Sequence, residues 1–197
     1  VPDADTLLAE KFPDLEISLY SYRSSQIAEE VVAQRFDFGI TTDPRIDPRY
    51  QSFQYSLPGM CLIPPGHPLE AKALIDIEDL ANETLICGEP NEQSRSRITQ
   101  RLRKHAVSPK KIWTVSLGEM AIRLVVNGAG LAVLNAVSAC YAKRAGVVVR
   151  PLAFDIRYDF QIILPLEKDL EPAINIINAE LIAIIEQKIF ESLKIVG

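Results

Sequence analysis

Apolar and polar positions alternate along the chain in two different rhythms. "LEISLYSY" (Leu15 to Tyr22) switches at every residue, the period of a strand with one covered face. "QIAEEVVAQ" then puts Ile27, Ala28 and Val31 on one side of a helix, which Ser24 or Ser25 can cap. "FDFGI" is a short strand that ends at Thr41-Thr42. "QSFQYSLPGMCLIPPGHPL" is extended and broken by Pro58-Gly59 and Pro64-Pro65-Gly66, too rich in proline for a helix. "DIEDLA" reads as one helical turn capped by Asp76, "ETLICG" as a strand, "SRSRITQRLRKHA" as a polar helix and "KIWTV" as a strand. The clearest amphipathic helix lies in "SLGEMAIRLVVNGAG". Leu117, Met120, Ala121, Leu124 and Val125 recur there at helical spacing, with Ser116 at the N-cap and Gly128 as the stop. "GLAVL" is a buried strand, "NAVSACYAKRAG" a short helix, and "VVVRPL" and "YDFQIILPL" are strands. The last helix starts near Pro172 and carries Ile174, Ile177, Leu181, Ile184 and Ile185 on one stripe.

Strands alternating with helices predict an α/β protein with parallel sheets covered by helices. The proline-rich run at 58–66 marks an exit to a second lobe, and "FQIILP" marks the return. Two Rossmann-like lobes joined by two crossover strands follow. Residues 1–59 and 162–197 make the first lobe, and 60–161 the second. Ligands of open α/β sheets sit beyond the carboxyl ends of strands, where Thr41 and Thr42 lie.

Composition narrows the chemistry. With 48% apolar and 24% charged residues, the 197-residue chain is globular and able to bury a core. A net charge of −5 argues against nucleic acid or anionic membrane as this piece's own partner. The arginines of the polar helix form a solvated face, because no aromatic residues interleave to stack on bases. No apolar run approaches the ~20 residues of a membrane span, and "VPDADTLLAEKFPD" has no signal-peptide pattern. Cys61, Cys87 and Cys140 are widely spaced and read as buried free thiols of a reducing cytoplasm. With His67 and His105 the only histidines, a structural zinc site is not expected. G-x-S-x-G, Walker A and H-E-x-x-H patterns are absent, and "GAG" at Gly128 to Gly130 precedes a strand rather than following one. The sequence therefore predicts neither an enzyme nor a cofactor.

One device repeats: a strand ends in hydroxyl residues and a helix begins. Ser24-Ser25, Thr41-Thr42 and Ser116 fit it. The hydroxyls either satisfy turns and helix starts or converge on a cleft, where helix N-termini attract a small anion or zwitterion.

The order of segments resembles the effector-binding domain of LysR-type transcriptional regulators. The resemblance rests on "QIAEEVVAQRFDFGI", "MCLIPPGHPL", "DIEDLANETLI", "SLGEMAIRLVVNGAGLAVLN" and "VVVRPL", and covers nearly the whole chain. It implies the type 2 fold of periplasmic binding proteins, with an effector between the lobes touched by Ser24, Thr41, Thr42, Ser116 and Asn135. Amino acids and opines are the effector class it suggests. It also implies a cytoplasmic homodimer built on the helices near 26–34 and 117–127, tetrameric at full length, that reaches DNA only through an N-terminal helix-turn-helix. Neither that helix-turn-helix nor the domain's first strand is expected in this stretch, so part of the effector site is expected to be missing. Two other readings share the fold: a periplasmic solute-binding protein of a transporter, and an enzyme of prephenate-dehydratase or deaminase type.

Overall fold

A computed structural model of the chain describes residues 4–43, 45–90, 92–166 and 171–196. It divides into two compact units. The first comprises Val1–Ser56 and Asp159–Phe190, the second Leu57–Tyr158 and Glu191–Gly197. The chain changes unit within two strands, three residues before the expected boundaries at 59/60 and 161/162, and a third time inside the last helix.

The first unit contains α1 (Ala4–Lys11), α2 (Ser24–Val32), β1 (Gly39–Thr41), the start of β2 (Tyr50–Ile63), most of β7 (Arg157–Pro165) and most of α6 (Pro172–Val196). β1 lies antiparallel to β7, with Gly39 opposite Ile163 and Thr41 opposite Gln161. Leu8, Ile162, Leu164, Ile184 and Ile185 form one core cluster, and Val31, Tyr50 and Ile163 another. Ile177 and Leu181 of the predicted α6 stripe pack against the first.

Residues 15–22, expected as a strand, have no regular secondary structure and pair with no strand among the described residues. A period-2 sequence makes a strand only where a ladder partner exists. Here Leu19 and Tyr20 stay exposed, and Tyr20, Tyr22 and Phe36 stack on one another instead.

The second unit is a sheet of β2, β3 (Thr84–Cys87), β4 (Lys111–Thr114), β5 (Leu131–Asn135) and β6 (Val148–Pro151). α3 (Gln93–Lys104), α4 (Gly118–Val126) and α5 (Ala136–Arg144) connect its strands. β3 runs parallel to β4 and β5, as expected. β2 runs antiparallel to β5 and β6, which corrects the expectation of purely parallel sheets. It enters as a continuous strand, and only parallel neighbours need a helical crossover.

Successive residues of β2 feed opposite faces. Met60 and Leu62 join one core cluster, and Cys61 and Ile63 the other. Each wholly buried aliphatic side chain of this kind contributes about 1.5–3 kcal/mol.

Two helix starts differ from the sequence reading. α2 begins at Ser24 itself after Arg23, without a side-chain cap, so neither Ser24 nor Ser25 caps it. α4 has Leu117, not Ser116, at its N-cap. Its buried face is Ala121, Ile122 and Val125, while Leu117 and Met120 stay about half exposed. Of the predicted face, Ala121 and Val125 are buried and Leu124 packs against the same core, while Leu117 precedes the helix as its N-cap. The other end matches expectation. Gly128, at φ +76°, donates to the Val125 carbonyl at 2.9 Å, and Ala129 donates to that of Leu124 at 3.0 Å.

Candidate functional site: a hydroxyl cluster and a partly buried arginine

In the first unit, α2 starts beside the end of β1, and this brings Ser24, Thr41 and Thr42 together. The Ser24 and Thr42 hydroxyls are 3.1 Å apart, and the Thr42 N–H donates to Ser24 Oγ at 3.2 Å. Thr41 is buried. Its hydroxyl donates to the Ser24 carbonyl at 3.4 Å and accepts the Asp43 N–H at 3.1 Å. Thr41 thus closes the turn, while Thr42 is exposed.

The loop beyond is fixed by Gln161, a buried residue of β7 whose Nε2 donates to the carbonyls of Asp43 (2.6 Å) and Arg45 (3.0 Å). Tyr50 adds a bond to the Arg45 carbonyl at 3.0 Å. The Arg45 guanidinium holds the Asp43 carboxyl below its ordinary range. Thr42, Asp43, Tyr55, Ser56, Asp159 and Gln161 line a cavity of about 320 Å³. Asp159 accepts from Ser56 Oγ, and the Gln161 Oε1 is buried without a hydrogen-bond partner. A larger cavity in this unit, about 560 Å³, is mainly apolar, bounded by Leu8, Leu15, Ile27, Phe38, Ile177 and Leu181 among others.

In the second unit, a cavity of about 40 Å³ lies where β3 and β4 end and α3 and α4 begin. Ser116 lines it, with a hydroxyl whose sulfur contact, to Met120 Sδ, is 3.8 Å long. Asn135 is the N-cap of α5, and its Oδ1 accepts the Ser138 N–H at 2.9 Å. Asn135→Ala should therefore cost the second unit about 1 kcal/mol in urea unfolding.

Sequence reasoning missed Gln161 and Arg95. The Arg95 Nη1 is buried without a partner, and the residue lines the small cavity. Among five basic residues on one polar helix nothing distinguished it, and Gln161 acts on a loop more than 100 residues away. No cluster of metal-ligating side chains occurs among the described residues.

A family profile described as the LysR substrate binding domain matches residues 1–180. The chain belongs to this family. Membership favours the regulator reading over the transporter alternative. The chain is 26% identical over 159 residues to the transcriptional activator protein LysR of Escherichia coli K12, covering 80% of this chain and 51% of the relative. It is 30% identical over 172 residues to the regulatory protein NocR of Agrobacterium tumefaciens T37, covering 82% and 54%. It thus spans about half the length of these curated relatives. Among solved structures, the BenM effector-binding domain with its effector benzoate has the same fold, at a TM-score of 0.68 and 20% identity, covering 95% of this chain and 84% of that one. This is the fold expected of the LysR substrate binding domain, that of type 2 periplasmic binding proteins.

Proposed function

We propose that the chain is the effector-sensing part of a LysR-type transcriptional regulator, and that it binds a small metabolite. The observation that carries this reading is the cluster of Ser24, Thr41 and Thr42. Thr41 is spent on the turn, which leaves the exposed Thr42 hydroxyl and its Ser24 neighbour in place for a ligand. Family membership and the benzoate bound by a domain of the same fold support it. Amino acids and opines are the effector class we favour.

The two compact units correspond to the two lobes of the expected fold. Ser116 contributes from the second unit, and Asn135 acts mainly as a helix cap. The chain works as a homodimer in the cytoplasm, and the whole protein as a tetramer on DNA. The half-exposed Leu117, Met120 and Val126 of the α4 region supply apolar surface for the dimer. Among the described residues no helix is long and apolar enough to cross a membrane. Effector binding acts by population shift: the arrangement that binds the ligand better gains weight and re-spaces the DNA-binding parts.

Calorimetric titration with amino acids, opines and small carboxylates tests the reading. A ligand should bind the wild-type chain, and Thr42→Ala and Ser116→Ala should each weaken it about tenfold, the value of one hydrogen bond to a charged group. Binding equal in all three proteins would reject these residues as contacts.

A further inference from the structure

We infer that Gln161 is a positioning residue for the ligand. From within β7 it holds the loop after β1 so that the Thr42 hydroxyl is presented, and it does so without touching the ligand itself. The inference rests on the effector-domain reading and adds to it a residue that acts through another.

Gln161 is 2% exposed. Its Nε2 donates to the carbonyls of Asp43 at 2.6 Å and Arg45 at 3.0 Å. Both partners are acceptors, so the nitrogen must face them and the oxygen cannot. That Oε1 is buried and has no hydrogen-bond partner. An unpaired buried acceptor costs stability, and a side chain chosen for stability alone would not leave one. What the glutamine supplies is two bonds from one nitrogen, which neither a methionine of similar length nor an ionised glutamate can make.

The loop depends on such anchors. The Asp43–Arg45 ion pair lies within the loop and is exposed at Arg45, so it adds little. Thr41 accepts the Asp43 N–H and Tyr50 donates to the Arg45 carbonyl, while Gln161 takes both carbonyls at once. Thr42 lies between two fixed points. Its own N–H donates to Ser24 Oγ at 3.2 Å, and the next residue, Asp43, is held by Thr41 and Gln161. β7 is also the strand by which the chain returns to the first unit, at Asp159, and Gln161 follows two residues later. The tie therefore makes the Thr42 loop move with the return strand.

Gln161→Met, Gln161→Glu, Thr42→Ala and the double variant Gln161→Met/Thr42→Ala test the inference. Calorimetric titration uses L-glutamate, L-arginine, octopine and benzoate as probes. A probe that binds the wild type should bind Gln161→Met about tenfold more weakly, yet Gln161→Met should cost nothing further in the Thr42→Ala background. A merely structural glutamine would lower the melting midpoint and leave the affinity of the folded chain unchanged.

Gln161→Glu supplies a pH signature without any ligand. Near pH 7 its carboxylate would accept where the amide donates; once protonated, it again has one proton to give. The groups around it do not mimic this. Arg45 holds the Asp43 carboxyl below its ordinary range, burial pushes the Tyr50 hydroxyl up, and Asp159 is common to every variant. Amide hydrogen exchange at Asp43 and Arg45, relative to intrinsic rates, should be fast in both Gln161 variants near pH 7. It should slow again towards pH 5 in Gln161→Glu alone. Unchanged exchange in both variants overturns the inference. A probe that Thr42→Ala weakens but Gln161→Met does not leaves the effector reading standing and removes the role of Gln161. No probe bound by the wild type, with exchange released in both Gln161 variants, does the reverse.

Discussion

Gly130→Ala should cost the second unit about 3 kcal/mol or more, the largest single-residue effect expected outside the core. Gly130 has φ +155°, and a Cβ there would meet the Thr84 carbonyl oxygen at 2.3 Å. That oxygen belongs to the backbone of β3, so no side-chain rotation relieves the contact. Relief requires β3 and β5 to part where Leu85 faces Leu131, two residues buried in one core cluster. Gly128, two residues earlier, is the control. It also needs positive φ, but a Cβ there meets nothing within 4 Å. Gly128→Ala should cost only about 1 kcal/mol of backbone strain. Urea unfolding followed at Trp113 separates the two, and equal losses would contradict the account.

The second large effect concerns pH. Cys61 is wholly buried in the second unit, and its thiol is pushed up from 9.0 to about 12, first by burial and then by Asp79 and Glu83. Below pH 9 folded and unfolded chains both hold this proton, so its contribution is fully present. Between about pH 9 and 12 the unfolded chain releases a proton that the folded chain keeps. Stability then falls by about 1.4 kcal/mol per pH unit, roughly 4 kcal/mol by pH 12. Cys87 and Tyr158 shift in the same direction and steepen the loss. Cys61→Ala should flatten the alkaline slope by about one proton while costing some packing at neutral pH. An unchanged slope in that variant would contradict the buried thiol.

Local rules were legible where one segment settles its own structure. "MCLI" alternates between two cores because a strand turns successive side chains to opposite faces. "NGAG" ends α4 because glycine tolerates the left-handed turn. What depended on neighbours was less legible. "LEISLYSY" has a strand's rhythm, but no described strand pairs with it. Of the apolar positions read for α4, Ala121, Leu124 and Val125 reach the core, but Leu117 looks like a first helical turn and is a cap.

The candidate site divides the same way. That Ser24, Thr41 and Thr42 belong together was readable from strands ending where helices begin. Which hydroxyl is buried and which is exposed was not, since that depends on the register of β1 against β7 and on Gln161. Arg95 looked like one more solvated cation, because helical position does not reveal that a single nitrogen is cut off from water.

The most direct test of the account is the thermal unfolding of the wild-type chain against amino acids, opines and small carboxylates. A ligand at about 100 times its dissociation constant stabilises a folded domain by roughly 2.7 kcal/mol. The account predicts at least one ligand of this panel that raises the midpoint in a saturable way. An unchanged midpoint across the whole panel would contradict effector binding by this chain.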